Sequence, residues 1–87
     1  MSQLQTQKVL NRLARVEGHV RAIYQMVQAD RSCPEVLVQI VAVRSALNKV
    51  AVILLEDYAE HCLADAAHSG NFKSEWANFC AALDSLI

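Results

Sequence analysis

Between Ser32-Cys33-Pro34-Glu35 and Ser69-Gly70 nothing in the chain stops a helix, and this uninterrupted stretch constrains the fold more than any other feature. Ser32 is an N-cap residue, Glu35 stands three residues later as in a capping box, and Pro34 in the first turn gives up no intrahelical bond. Val36, Ile40, Val43, Leu47, Val50 and Leu54 then recur at steps of 4, 3, 4, 3 and 4, which is one face of an α-helix. Gly70 is the natural stop. About 35 residues at a rise of 1.5 Å give a helix roughly 50 Å long. That is too long for a compact globule of 87 residues. Its apolar stripe needs cover along its whole length, and a second copy of the same helix is the natural partner.

The remaining segments are helical too. Val9, Leu13, Val16, Val20, Ile23 and Val27 step by 4, 3, 4, 3 and 4, predicting a first helix that ends near Ala29-Asp30-Arg31. Gly18 inside it costs about 1 kcal/mol relative to Ala and is read as a point where another helix comes close. Phe72, Trp76, Phe79, Leu83 and Leu86 step by 4, 3, 4 and 3, a short last helix. Two Gly and one Pro are too few for a many-stranded β fold, and 54% hydrophobic against 20% charged residues excludes disorder. The expectation is an all-α chain of three helices with one very long central helix, a single domain over residues 1–87, associating as a dimer or more.

No run without a charge is longer than the one between Glu35 and Arg44, which is too short to span a bilayer. Met1-Ser2-Gln3-Leu4 lacks the regions of a signal peptide. No membrane association and a cytoplasmic location are therefore expected, where three cysteines read as reactive or ligating thiols rather than a disulfide framework.

Cys33 and Cys62 lie 29 residues apart on the predicted long helix. At 100° per residue the remainder is only about 20°, and the axial separation is roughly 43 Å. Both thiols would project from nearly one face without meeting inside one chain. In an antiparallel pair of these helices, crossing near Leu47-Asn48, Cys33 of one copy would lie level with Cys62 of the other, twice by symmetry. Cys33 also stands at a helix start, where the dipole favours a thiolate. Small buried core filling is the competing role for both cysteines, and it is the better reading for Cys80. Soft thiolates suit Cu(I) or Zn(II), with imidazole a common further ligand. However, the residue one turn before Cys62 is Tyr58, a poor Cu(I) ligand, while His61 points about 100° away from Cys62.

Net charge is −1, but it is unevenly spread. Through Lys49 there are seven basic residues against three acidic, giving +4; from Val50 onward there is one against six, giving −5. Lys8, Arg12, Arg15 and His19 step by 4, 3 and 4, a stripe suited to phosphate contacts or simply a solvated face. Arg44 and Lys49 add charge from the long helix. There is no phosphate-binding loop, nucleophilic triad or paired-carboxylate arrangement, so an enzyme is not expected. A helical interaction module with buried cysteines is the competitor to a DNA-binding sensor.

Taken together, Arg12-Leu-Ala-Arg15-Val-Glu-Gly18-His19-Val-Arg21, Cys33, Gln39-Ile-Val-Ala-Val-Arg44-Ser-Ala-Leu47 and Cys62 resemble the copper-sensitive operon repressor (CsoR-like) family over essentially the whole chain. This family of small all-α bacterial repressors also has nickel, formaldehyde and persulfide branches. The resemblance implies antiparallel dimers assembled into a disc-shaped homotetramer, with operator DNA released when the cysteine site is occupied or modified. It assigns DNA contacts to Arg12, Arg15, Arg44 and Lys49, to which the charge stripe adds Lys8, and sensing to Cys33 and the partner copy's Cys62. Tyr58 stands where metal- and formaldehyde-sensing members carry His, and His19 stands where Gln is usual. Without that His, the pair resembles the persulfide-sensing (CstR-like) branch. The expectation is thus a repressor induced by reactive sulfur, requiring no cofactor. Cu(I) held by Cys33, Cys62 and His61 is the alternative.

Overall fold

The computed structural model describes residues 1–86. In chain order the elements are α1 (Gln3–Gln28), α2 (Cys33–Asp57), one π-helical turn (Tyr58–Cys62), α3 (Leu63–Ser69) and α4 (Phe72–Leu86). The backbone stays helical without a break from Cys33 to Ser69, so the all-α architecture with a long central helix is as expected from the apolar repeat.

The boundaries follow from local chemistry. Ser2 caps α1, its Oγ accepting from the Gln5 N–H at 3.1 Å. Past Gln28 the chain turns through Asp30 at φ +58°. There the Arg31 N–H reaches Met26 O at 3.0 Å and the Asp30 N–H reaches Val27 O at 3.1 Å. This is a Schellman closure with aspartate rather than glycine in the left-handed position. The box expected at the next start is half formed. The Glu35 N–H approaches Ser32 Oγ at 3.4 Å, but the Glu35 carboxylate accepts from Arg31 Nε at 2.8 Å instead of returning to Ser32. The cation next to the cap is a stronger partner than a neutral amide. Gly70, at φ +84°, ends α3, and its N–H and that of Asn71 both bond Ala66 O.

Residues from Ser2 to Val50 pack as one unit, and the chain from Ala51 onward, with Met1, as another. In the first, α1 and α2 are tied by a 2.6 Å contact between His19 Nε2 and Gln39 Oε1. Carried along two antiparallel helices, that register sets Val16 level with Val43 and Val9 level with Val50. These four valines are the buried side chains of the unit, each pair one heptad apart, as in a coiled-coil seam. Alternate members of the α2 repeat remain open: Ile40, Leu47 and Leu54 are 42–44% exposed. They share their spacing with Cys33, which is exposed as well. Half of the stripe is therefore used within the chain and half is not.

In the second unit, Leu63 and Ala66 of α3 are buried, and α4 packs back against α3 and the π turn. Phe72, Trp76 and Phe79 form a stacked row on α4 at centroid separations of 6.0 and 5.7 Å, extended to Tyr58 at 5.8 Å.

The segment Cys33–Ser69 is long and apolar enough to cross a membrane by length and composition alone, with a mean hydropathy of 1.7 in its most apolar window. This differs from the expectation drawn from charge-free runs. Arg44 and Lys49 lie well inside that segment, and each would cost about 2.5–3.5 kcal/mol near a bilayer centre. A helix waiting for a protein partner has the same apolar composition without that penalty.

Candidate functional site

Cys33 is the first residue of α2 and is exposed. It lines a hollow of about 300 Å³ with Val27, Asp30, Arg31, Val36 and Leu37. Cys62 is the last residue of the π turn and is exposed too. Free cysteine is among the most buried residue types, so two exposed thiols are poorly explained as core filling. Cys80 on α4 is half-buried, in keeping with the core role expected for it.

The π turn revises one piece of helix arithmetic. In it the Leu63 N–H bonds back to Tyr58 O, five residues instead of four, which underwinds the backbone locally. The 100° step that put Cys62 on the face of Cys33 does not hold through this turn.

Tyr58 opens the π turn, one turn before Cys62. Its hydroxyl donates to the Glu75 carboxylate on α4 and lies 3.4 Å from the Glu75 carbonyl oxygen. Its ring stacks on Phe79. The hydrogen bond to a carboxylate acceptor, together with that carboxylate's charge, stabilises the neutral phenol and pushes its pKa up from 10.0 to about 12. Tyr58 is therefore a protonated donor tied to α4 at ordinary pH.

His61 is exposed, with Nε2 3.5 Å from Asp57 Oδ1 and 3.9 Å from Glu60 Oε2. Asp57 is buried, and its Oδ1 has no hydrogen-bond partner among the described residues. The imidazole thus lies beside a buried carboxylate oxygen without hydrogen-bonding to it. Among the described residues of one chain, no three His, Cys, Asp or Glu side chains are placed to hold a metal ion together. Cys33, Cys62 and His61 make no ligand set within a single copy.

The basic residues lie elsewhere. Lys8, Arg12 and Arg15 are exposed on α1, and Arg44 and Lys49 are exposed on α2. Arg12, Arg15 and His19 line a hollow of about 150 Å³ with Val16 and Ala46, so these two arginines converge with His19 on one surface. Gln39, which holds His19, and Glu75, which holds Tyr58, were not singled out as site partners from the sequence. Each is joined to its partner across 17–20 residues, a distance over which helical periodicity carries no pairing signal.

A family model described as metal-sensitive transcriptional repressor matches residues 5–86. The copper-sensing transcriptional repressor CsoR of Bacillus subtilis is 55% identical over 64 residues, covering 74% of this chain and 63% of that protein. The copper-sensing transcriptional repressor RicR of Mycobacterium tuberculosis is 49% identical over 59 residues, 68% of this chain and 62% of that protein. The chain thus spans somewhat over three fifths of these curated relatives. Among solved structures, the copper-sensing repressor CsoR with Cu(I) from Geobacillus thermodenitrificans superposes with a TM-score of 0.91 at 33% identity, over 98% of this chain and 88% of that one. The nickel-responsive transcriptional regulator InrS superposes at 0.77 with 48% identity, over 93% and 91%.

These relatives are repressors and not enzymes, as expected. They overturn the expectation that no cofactor is required and that Cu(I) ranks behind reactive sulfur. Two of the relatives are copper-sensing, and a neighbour of nearly the same fold was solved with Cu(I).

Proposed function

Since the chain belongs to the family of metal-sensitive transcriptional repressors, we propose that it is a Cu(I)-responsive repressor which holds operator DNA in the absence of the ion and releases it on binding. The observation that carries this reading is the exposure of both Cys33 and Cys62, two soft donors left at the surface of a chain whose described residues group no three metal-ligating side chains on their own. Cys33 of one copy and Cys62 of another supply the thiolates, and His61 is the imidazole nearest to them in sequence. A repressor acts where the DNA is, which in a bacterial cell is the cytoplasm.

Assembly belongs to the same proposal. The open seam of Ile40, Leu47 and Leu54 is covered by the antiparallel α2 of a second copy, and two such dimers form a tetramer. Lys8, Arg12, Arg15, Arg44 and Lys49 contact phosphates. One copy presents a short basic stripe, and several copies together present enough charge for counterion release to drive binding.

A second reading has one observation in its favour. With the Tyr58 hydroxyl committed to Glu75, one thiolate can instead take the outer sulfur of a persulfide donor, expelling the donor's thiolate. The second thiolate can then attack the persulfide so formed to close a disulfide and expel hydrosulfide. Both readings meet the same experiment. Reduced protein is bound to fluorescent DNA selected from a random-sequence pool, then exposed without oxygen to one equivalent of Cu(I) per chain or, separately, to a persulfide donor. Release by Cu(I) alone supports the metal reading. Release by the persulfide alone, with subunit cross-links reversed by a thiol reductant, replaces it. The absence of DNA binding in low salt would remove the repressor function.

A further inference from the structure

Within the unit of residues 2–50, His19 is the half-buried member of the basic stripe on α1, where Lys8, Arg12 and Arg15 are exposed. Its Nε2 lies 2.6 Å from Gln39 Oε1 on α2. An amide oxygen can only accept, so the proton in this contact belongs to Nε2. In the neutral ring the lone pair is then on Nδ1, and Nδ1 is where a second proton goes. That proton breaks no bond, because Nε2–H donates to Gln39 in both charge states. The ring also lines the hollow of about 150 Å³ with Arg12, Arg15, Val16 and Ala46, and Gln39 is not part of that lining. Nδ1 is thus the ring nitrogen left for a ligand beside two guanidinium groups.

We infer that His19 is a DNA-contact residue which takes up a proton as it engages a backbone phosphate, with Gln39 as its positioning residue. This inference rests on the DNA-binding reading above. A phosphate between Arg12 and Arg15 sets an oxygen lone pair against the Nδ1 lone pair of neutral His19, which is repulsive. When Nδ1 accepts one proton from solvent, the ring becomes a cation and Nδ1–H donates to that oxygen. The anion therefore favours the charged ring, and DNA binding is coupled to protonation. Among the described residues, the charged groups at this hollow are Arg12 and Arg15 of α1. From α2 come Ala46 and, behind the ring, Gln39, neither of which titrates. Glu35, one turn before Gln39, is paired with Arg31 at 2.8 Å. Imidazole is the side chain whose ordinary charge change falls between pH 5 and 8, so affinity for DNA rises as the medium becomes mildly acidic.

The test titrates reduced full-length protein, kept free of Cu(I) by a chelator, into the selected fluorescent DNA from about pH 8 to about pH 6. Wild-type affinity should rise by roughly tenfold, the worth of one charge-assisted hydrogen bond, and the salt slope should steepen by about 0.9. Calorimetry in two buffers of different ionisation heat should show proton uptake on binding. His19→Gln should lose both the rise and the uptake; His61 and His68 are common to both proteins and cancel in the comparison. Gln39→Leu should flatten the rise. Gln39→Glu keeps the acceptor and sets a carboxylate against the ring, so the rise should begin at higher pH. Nuclear magnetic resonance of the wild-type imidazoles is the measurement that needs no variant: one histidine should titrate at higher pH in the DNA complex than in the free protein. A wild-type affinity flat in pH, an equal rise in His19→Gln, or no histidine titrating higher in the complex would overturn the inference. Absence of DNA binding across the range would remove the repressor reading and this inference with it, an outcome distinct from binding that ignores pH.

Discussion

The Tyr58 hydroxyl donates to the Glu75 carboxylate, joining the π turn that ends at Cys62 to the middle of the aromatic row on α4. The link ties the backbone next to Cys62, a proposed sensing thiol, to a helix that carries none of the proposed sensing or DNA-binding residues. It also gives Tyr58 a measurable signature.

That signature is a pH profile. The folded-state pKa of Tyr58 is raised from 10.0 to about 12 by the bond to Glu75. A raised pKa means that the protonated phenol favours the fold. Its contribution is complete below pH 10, drawn down between 10 and about 12, and gone above that. Ultraviolet titration should find one tyrosine ionising near the upper limit, and Glu75→Gln should bring it down. An unchanged profile in that variant would show that Glu75 does not hold the phenol.

Leu47 and Val43 separate assembly from folding. Leu47 is 43% exposed in the chain and Val43 only 8%. Leu47→Asp should leave helical content intact in circular dichroism while sedimentation shows dissociated chains, since an unpaired charge in an apolar interface costs several kcal/mol. Val43→Asp should abolish folding altogether. A Leu47→Asp protein of undiminished mass would mean that the seam around Leu47 is not an interface.

Arg15 reports on phosphate contacts. Replacing it by Gln should weaken DNA binding at every sequence and lower the slope of log affinity against log salt by about 0.9 for one neutralised phosphate. A folded protein with unchanged slope would remove Arg15 from the contact set.

The cysteines differ in exposure and should differ in effect. Cys33→Ala should bind DNA normally and lose its response to Cu(I), whereas Cys80→Ala, on the half-buried α4 position, should keep both. Loss of response in Cys80→Ala with Cys33→Ala unaffected would relocate the site.

The two glycines give opposite signs for one substitution. A Cβ at Gly70 meets nothing within 4 Å, but its φ of +84° is strained for any L side chain. Gly70→Ala should lose about 1 kcal/mol. Gly18 lies inside α1, and a Cβ there also meets nothing within 4 Å, so the close helix approach expected at this glycine is not made within the chain. Gly18→Ala should raise stability by roughly 0.5–1 kcal/mol. Thermal unfolding of both variants checks the pair, and destabilisation by Gly18→Ala would place a second copy against that helix face.

What the sequence determines alone is what local chemistry and periodicity dictate. Helix starts and stops follow from groups a few residues apart, such as Ser32 with Glu35 or Gly70 with Ala66, and the 4-3 repeat marks the α2 stripe whatever later covers it. Cys33 and Cys62 stand out for the same reason, as unusual residues near the two ends of that stripe. Tertiary structure decided which members of the stripe are used within the chain, because only packing against α1 separates Val43 and Val50 from Ile40, Leu47 and Leu54. It also decided the fates of Tyr58 and His19, whose partners Glu75 and Gln39 lie 17–20 residues away. The direction of a polar side chain depends on the nearest group able to satisfy it, and helical spacing does not encode that neighbour. The π turn belongs with these. Its shifted hydrogen bonding leaves the apolar pattern intact, yet it changes where the next thiol points.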